Sequence, residues 1–226
     1  MCTILLRYQP GGAEPVVLAA NRDEYRARAA DDPLVIAPGV FAGRDRTAGG
    51  TWLAVRAGAI AAITNIGGAE RRPDARSRGE LPLLALAGRL PRDYADYNAF
   101  NLLVVDEDGA RVVTHTADGR PATEVRLGPG DHAIVNEPFG AASCPRGRAA
   151  RALLEHGAPG FDLLTTHEDG GPTGLCHHGD AYGTVSSTVI ALDGAGRVAR
   201  YLHRPGQPCR APTLDLTDAA RAATAP

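Results

Sequence analysis

The chain has 226 residues, of which 44% are hydrophobic and 22% are charged, and its net charge is −2 at pH 7. This balance can fill a core, and it excludes a disordered chain or a strongly basic, nucleic-acid-binding surface. No apolar run is long enough to span a bilayer. We therefore expect a single domain over residues 1–226, with a tail that frays from about residue 214.

The first seven residues lack the layout of a signal peptide, which predicts a cytoplasmic protein. Cys2, Cys144, Cys176 and Cys209 are scattered without pairing spacings, so free thiols are expected. All 24 basic side chains are arginines, a bias that is typical of GC-rich coding and predicts a bacterial source. Because lysine is absent, the α-amine is the only primary amine of the chain.

Residues 2–8 and 16–21 are apolar stretches on either side of the turn Pro10-Gly11-Gly12, and they predict a β-hairpin. The charged segment Asn21-Arg22-Asp23-Glu24 ends the second stretch. The hairpin would bring this segment back beside Cys2.

Strands and a few helices follow along the chain. The predicted strands are 51–55, 59–63, 101–105, 111–115, 123–127, 132–135, 184–192 and 198–202. A loop rich in glycine and arginine is predicted over 66–79, and helices over about 80–89, 148–155 and 161–166. Strands outnumber the helices inserted among them, which predicts a layered α+β domain with two sheets.

Cys2 is the first candidate for chemistry. Removal of Met1 would leave it with a thiol and an α-amine on adjacent atoms, and such an amine titrates near about 7.7–8.0. Nucleophile and general base would then belong to one residue, which is the logic of N-terminal-nucleophile catalysis. From position alone, a small apolar residue that opens a strand is the simpler interpretation.

Short motifs along the chain change this balance. In order they are Met1-Cys2-Thr3-Ile4, Ala20-Asn21-Arg22-Asp23-Glu24, Gly49-Gly50-Thr51-Trp52-Leu53, Ile63-Thr64-Asn65, Ser77-Arg78-Gly79-Glu80-Leu81, Tyr97-Asn98-Ala99-Phe100-Asn101-Leu102, Tyr182-Gly183-Thr184 and Ser186-Ser187-Thr188-Val189-Ile190. The ordered set resembles the NRDE-motif family, the homologues of transport and Golgi organisation protein 2. More widely, it resembles cysteine amidases of the N-terminal-nucleophile hydrolase superfamily, such as penicillin V acylase and bile-salt hydrolase.

The resemblance implies a four-layer αββα fold, in which two stacked, mainly antiparallel sheets are flanked by helices. It implies that Cys2 attacks an amide, that Asp23 holds the α-amine, and that Arg22 polarises the thiolate. Asn65 would stabilise an oxyanion, and Asn136 resembles the second asparagine of the amidases. Without the resemblance, these residues would be a surface ion pair and turn residues.

One position departs from the family. An arginine commonly lies between the Gly-Thr and Ser-Ser-Thr of the last motif, where this chain has Val185. If that arginine completes the catalytic set, the protein would be slow, altered in substrate or catalytically silent. Arg78 and Arg200 are the candidates to replace it in space.

Gly50, Trp52 and Arg78 are the candidate substrate-binding residues. Gly50 would let a ligand approach the backbone closely, and Trp52, the only tryptophan, would form a wall of the pocket. A tight turn and a core aromatic side chain explain the first two equally well.

No metal site is predicted. Cys176-His177-His178, Asp180 and His167 are interpreted as an exposed polar loop, because adjacent ligands on one short segment seldom face one ion. Cys144-Pro145 is a dipeptide of some haem-responsive sites, and the resembled family has been linked to haem handling. A loop that enters a helix explains Pro145 adequately.

The resulting hypothesis is an N-terminal cysteine hydrolase that cleaves a small amide, or transfers its acyl group, through an acyl-enzyme at Cys2. No cofactor is expected, and neither nucleic acid nor a membrane is an expected partner. The alternative is a non-catalytic ligand-binding or haem-trafficking protein on the same fold. A thiol-handling protein that uses Cys2 is a third hypothesis.

Overall fold

The computed structural model describes residues 2–68, 71–141, 144–167 and 174–225. Within them the strands are β1 (Thr3–Tyr8), β2 (Val16–Tyr25), β3 (Ala30–Ala37), β4 (Val40–Asp45), β5 (Leu53–Arg56), β6 (Ala59–Asn65), β7 (Phe100–Asp106), β8 (Gly109–His115), β9 (Thr123–Leu127), β10 (Gly130–Ile134), β11 (Tyr182–Leu192), β12 (Val198–Pro205) and β13 (Leu214–Asp215). The helices are α1 (Leu81–Leu86), α2 (Pro145–His156), α3 (Phe161–Leu164) and α4 (Thr217–Ala223), and a 3-10 turn at Arg78–Glu80 precedes α1.

The strands form two antiparallel sheets. The first sheet has the order β10-β1-β2-β11-β12-β13, and the second has the order β3-β4-β5-β6-β7-β8-β9. The three predicted hairpins are present as β1–β2, β5–β6 and β11–β12. The predicted α+β architecture with two sheets is therefore confirmed.

Alternate residues of each strand face opposite sides of its sheet, and this alternation builds the layers. Ile4 of β1 packs between the sheets in one cluster with Leu103 of β7. Leu5 points the other way, into a cluster with Leu154 of α2. On the far side, Leu81 of α1 packs against the second sheet. The layers thus run helix, sheet, sheet, helix.

The charged segment Asn21-Arg22-Asp23-Glu24 continues β2 and does not end it, contrary to our prediction. β2 is hydrogen-bonded to β11 along the whole segment, and to β1 as far as Asn21. Arg22 and Asp23 are 6% and 4% exposed. A run of charge in a central strand is stable only when the fold supplies partners, and these partners are distant in sequence.

Other elements also differ from the prediction. The prediction contained neither β3 nor β4, and β3 is a half-exposed edge strand without apolar alternation. α2 begins at Pro145, three residues early, and Cys144 caps it. The tail contains β13 and α4, and Ala220 of α4 is buried against the core between the sheets. No helix in the described ranges is both long and apolar enough to cross a membrane.

Candidate active site

A cavity of about 500 Å³ opens where β1 begins and β2 and β6 end. Its walls come from the ends of both sheets and from the segment 71–79. Six of the eight residues predicted for the site line this cavity: Cys2, Arg22, Asp23, Trp52, Asn65 and Arg78. Gly50 and Asn136 do not belong to its lining.

Cys2 lies directly before β1 and is half-buried. The pairing of Thr3 with Asn21 brings it beside the end of β2, and its Sγ lies 3.7 Å from the backbone oxygen of Asp23. Burial of the thiol, and next the negative charge of Asp23, raise the pKa of Cys2. The neutral thiol is therefore the stable form, so nucleophilic attack requires a base.

The carboxylate of Asp23 is fully buried and is held from two sides. Arg146 Nη2 lies 3.1 Å from Oδ2, and the Thr184 hydroxyl donates to Oδ1 at 2.6 Å. Arg146 also donates to Thr3 Oγ1 and to the Leu175 carbonyl, each at 3.0 Å. Such charge-assisted bonds fix the position of the carboxylate.

Arg146 was missed by sequence reasoning, since no spacing rule connects helix α2 with β2. The two arginines that we considered as replacements at Val185 have other partners. Arg200 pairs with Glu14 at the surface, and Arg78 donates to the Ala99 carbonyl. The arginine that reaches Asp23 is Arg146.

Val185 occupies an irregularity of β11. The register of β11 against β2 shifts between Thr184 and Ser186, so that these two pair with Asp23 and Arg22 and leave Val185 without a partner in β2. Thr184, which belongs to the Tyr182-Gly183-Thr184 motif, was visible in the sequence as a conspicuous motif residue. Its hydrogen bond to Asp23 explains the structural role of the threonine in that motif.

Arg22 points to the other face of β2, toward the second sheet. Its guanidinium lies 4.3 Å from the ring centroid of Trp52, a cation–π contact. Gly43 leaves the space that the Trp52 ring occupies, because an added Cβ there would lie 2.6 Å from the indole. Burial lowers the pKa of Arg22, but an arginine stays charged at neutral pH.

Arg78 is a second cation of the cavity and is half-buried. Its Nη1 donates to the Ala99 carbonyl at 2.8 Å. Burial, followed by repulsion from Arg71, lowers its pKa to about 10. Among the described residues, neither Arg22 nor Arg78 has a carboxylate oxygen within 4.0 Å. Six arginines line the cavity against three carboxylates, which leaves a surplus of positive charge.

The two asparagines have different positions. Asn65 ends β6 and its side chain is exposed in the cavity. Asn136 Nδ2 donates to the Asn65 backbone carbonyl at 2.7 Å, and the Gly67 N–H donates to the Asn136 carbonyl at 2.9 Å. Asn136 therefore contacts the backbone that carries Asn65 and does not itself face the cavity.

Gly50 permits a close approach of protein backbone. A Cβ at this position would lie 2.4 Å from the carbonyl carbon of Gly79, and the Thr51 N–H donates to the Gly79 carbonyl at 2.8 Å. The space beside Gly50 is thus filled by the segment that carries Arg78. Our expectation that a ligand approaches Gly50 is replaced by this packing role.

We expected an exposed polar loop here, but Cys176 is buried and its Sγ lies 3.5 Å from His178 Nε2. Their ligand atoms converge with those of His167 and Cys209, and all four lie within 4.8 Å of one another. Asp180 is not a member of this group. The sequence signal was incomplete because Cys209 lies 31 residues beyond His178.

Comparison with known proteins agrees with the family resemblance that the motifs carry. The mouse Transport and Golgi organization 2 homolog is 29% identical over 161 residues, which cover 60% of this chain and 57% of the mouse protein. The bovine homolog is also 29% identical, over 160 residues and the same shares. The matched region thus spans little more than half of these relatives. The sequence profile of the Transport and Golgi organisation 2 family matches residues 1–158, and the chain belongs to this family.

Proposed function

We propose that this chain is an N-terminal-nucleophile amidohydrolase that cleaves a small amide through an acyl-enzyme at Cys2. The observation that carries the proposal is the Cys2 thiol, placed beside the buried Asp23 in a cavity of metabolite size. The layering of helix, sheet, sheet and helix supports it, because the amidases that the sequence resembles share that order.

The reaction begins after Met1 is removed and the α-amine of Cys2 is free. This amine takes the thiol proton, and the thiolate attacks the acyl carbon of the amide. The C–N bond then breaks, and the ammonium returns its proton to the leaving amine. Water, or an acceptor amine, is deprotonated by the same α-amine and cleaves the thioester, which restores Cys2.

The surrounding residues have separate roles in this scheme. Asp23, fixed by Arg146 and Thr184, would hold the α-ammonium with its carboxylate. The Asn65 side chain faces the cavity and would donate to the oxyanion of the tetrahedral intermediate. Asn136 is a positioning residue, since it acts through the Asn65 backbone.

The charge of the cavity indicates the class of substrate. Arg22 and Arg78 lie in its wall without a carboxylate oxygen within 4.0 Å among the described residues, and four further arginines line the same cavity. A buried cation is stabilised when an anion pairs with it. We therefore propose that the amide carries a carboxylate or another anionic group, as an N-acyl amino acid does.

Intact mass spectrometry tests the nucleophile. Protein from its native source should lack Met1, and incubation with a panel of anionic amides should leave an acyl mass on Cys2 that turns over. Cys2→Ser is the matched control and should acquire no thioester. Retention of Met1 in native, active protein would overturn the mechanism.

A second variant isolates the role of the amine. Insertion of one glycine between Met1 and Cys2 keeps the thiol but moves the α-amine away, and β1 begins only at Thr3. Loss of a general base typically lowers the rate by about 10²–10⁴-fold. An unchanged rate of acylation would show that the α-amine is not the base.

A non-catalytic binding protein is the alternative proposal, and it predicts different results in these experiments. A ligand-binding or haem-trafficking protein would bind its ligand in the cavity equally well after Cys2→Ala, and no amide would acylate the thiol. Titration of the single tryptophan, Trp52, by fluorescence would report such binding, because its ring lines the cavity.

A further inference from the structure

A cluster of soft ligands lies outside the cavity, on the far side of the segment that contacts Arg146. It consists of His167, Cys176, His178 and Cys209, whose ligand atoms lie within 4.8 Å of one another. We propose that these four side chains bind one zinc ion in a tetrahedral Cys₂His₂ site. This inference is independent of the proposed amidase activity.

Two distances between ligand atoms match tetrahedral geometry. His178 Nε2 lies 3.5 Å from Cys176 Sγ and 3.4 Å from Cys209 Sγ. Zinc bonds of about 2.3 Å to sulfur and about 2.0–2.1 Å to nitrogen place the ligands of a tetrahedron roughly 3.3–3.8 Å apart. The His167 and His178 rings have centroids 4.7 Å apart and are tilted by 55°, which lets both nitrogens face one point.

The chemistry of the ligands favours zinc over harder cations. Two thiols and two imidazoles are the set that zinc prefers in structural sites, whereas magnesium and calcium require oxygen ligands. The ligand set contains no carboxylate. The four ligands leave no open position for substrate, so the site has a structural role.

The fold supplies a reason for the convergence. The Cys176 N–H donates to the Thr166 carbonyl at 3.1 Å, which brings the residue after Thr166 beside the Cys-x-His segment. On the other side, Arg204 donates to the Pro208 carbonyl at 3.3 Å and so holds the turn that presents Cys209. The set therefore joins three separate parts of the chain.

Zinc at this position would hold the segment that supports Asp23. The carbonyls of Gly174 and Leu175 accept bonds from Arg146, at 3.4 Å and 3.0 Å. The His177 N–H donates to Thr184 Oγ1 at 2.8 Å, and Thr184 donates to Asp23. Arg146 and Thr184, the two residues that fix Asp23, are thus both hydrogen-bonded to the chain directly before His178.

The test is metal content and coordination. Full-length protein, purified with a thiol reductant and dialysed against metal-free buffer, is analysed for zinc by elemental mass spectrometry. We expect one zinc per chain for the natural sequence and for His177→Ala, the matched control next to the ligands. His178→Ala and Cys209→Ser should lose the bound equivalent.

Cobalt(II) added to protein freed of metal supplies an independent readout. Tetrahedral coordination by thiolates gives intense visible absorption, which zinc should displace and which His178→Ala should lack. His167 and His178 are exposed and Cys209 is half-buried, so their variants should keep the natural circular dichroism spectrum.

Three outcomes would overturn the proposal. One is natural protein that binds no zinc when the thiols are reduced. Another is full zinc content in both His178→Ala and Cys209→Ser. The third is native protein whose mass is lower by two hydrogens because Cys176 and Cys209 form a disulfide.

Discussion

Arg146 and Asp23 are 123 residues apart in the chain, yet they form an ion pair of 3.1 Å whose side chains are 8% and 0% exposed. Removal of one partner from a buried pair leaves an uncompensated charge. Arg146→Met should therefore lower the free energy of unfolding by roughly 3–5 kcal/mol, as measured by urea denaturation.

The control lies on the same helix. Arg151 of α2 is exposed, and Arg151→Met should change stability by no more than about 0.5 kcal/mol. The double variant with Asp23→Asn should be less destabilised than the sum of the single variants, since the two residues interact directly. Strict additivity would contradict the ion pair.

Gly50 provides a second test, based on packing alone. A Cβ there would lie 2.4 Å from the Gly79 backbone, so Gly50→Ala should destabilise by about 1–3 kcal/mol. Gly128→Ala is the matched change, because nothing lies within 4 Å of the added Cβ. Equal midpoints of thermal unfolding for both variants would refute the close contact.

The two arginines of the cavity predict how substrate charge is recognised. Arg22→Gln and Arg78→Gln should each raise the KM for an anionic amide by roughly 10–100-fold, the equivalent of one lost charge-assisted bond. The KM for the corresponding neutral methyl ester should change little. Arg197→Gln, in an exposed turn, is the control. Similar effects on both substrates would exclude recognition of charge.

The raised pKa of Tyr97 predicts that the fold loses stability at alkaline pH. Burial and its hydrogen bond to Glu80, 2.7 Å long, raise the pKa of Tyr97 to about 12 from 10.0. Above about pH 10 the unfolded chain releases this proton while the folded chain keeps it, so the equilibrium shifts toward unfolding. The stability should fall progressively between about pH 10 and 12.

Urea denaturation at a series of pH values would measure this effect. Tyr97→Phe should flatten the alkaline fall, although it also removes the bond to Glu80 and lowers stability at neutral pH. The remaining fall belongs to other buried groups, of which Tyr201 is one, because burial also raises its pKa. An identical pH profile for Tyr97→Phe would contradict the assignment.

The sequence predicts those parts of the site that depend on local patterns. The first hairpin follows from two apolar stretches and a turn, and it places Cys2 beside Arg22 and Asp23. Asn65 ends β6 of the second sheet, and that end lies at the same cavity as the end of β2. Local pattern and family resemblance therefore identify six of the residues that line the cavity.

What the sequence does not predict are the partners across the fold. Arg146 and the ligand Cys209 follow no spacing rule relative to the residues they contact. For the same reason, the charged segment after Ala20 suggested the end of a strand, whereas distant partners allow it to remain inside one. Compensation of buried charge is a property of the tertiary structure.

The alternation of β2 separates the two functions of its charged segment. Asn21 and Asp23 face the helices, where Asn21 donates to the carbonyls of Leu164 and Leu175 and Asp23 meets Arg146. Arg22 faces the second sheet and the cavity. The strand therefore separates Arg22, the recognition residue of our proposal, from the bonds by which Asn21 and Asp23 hold the helix side of the sheet.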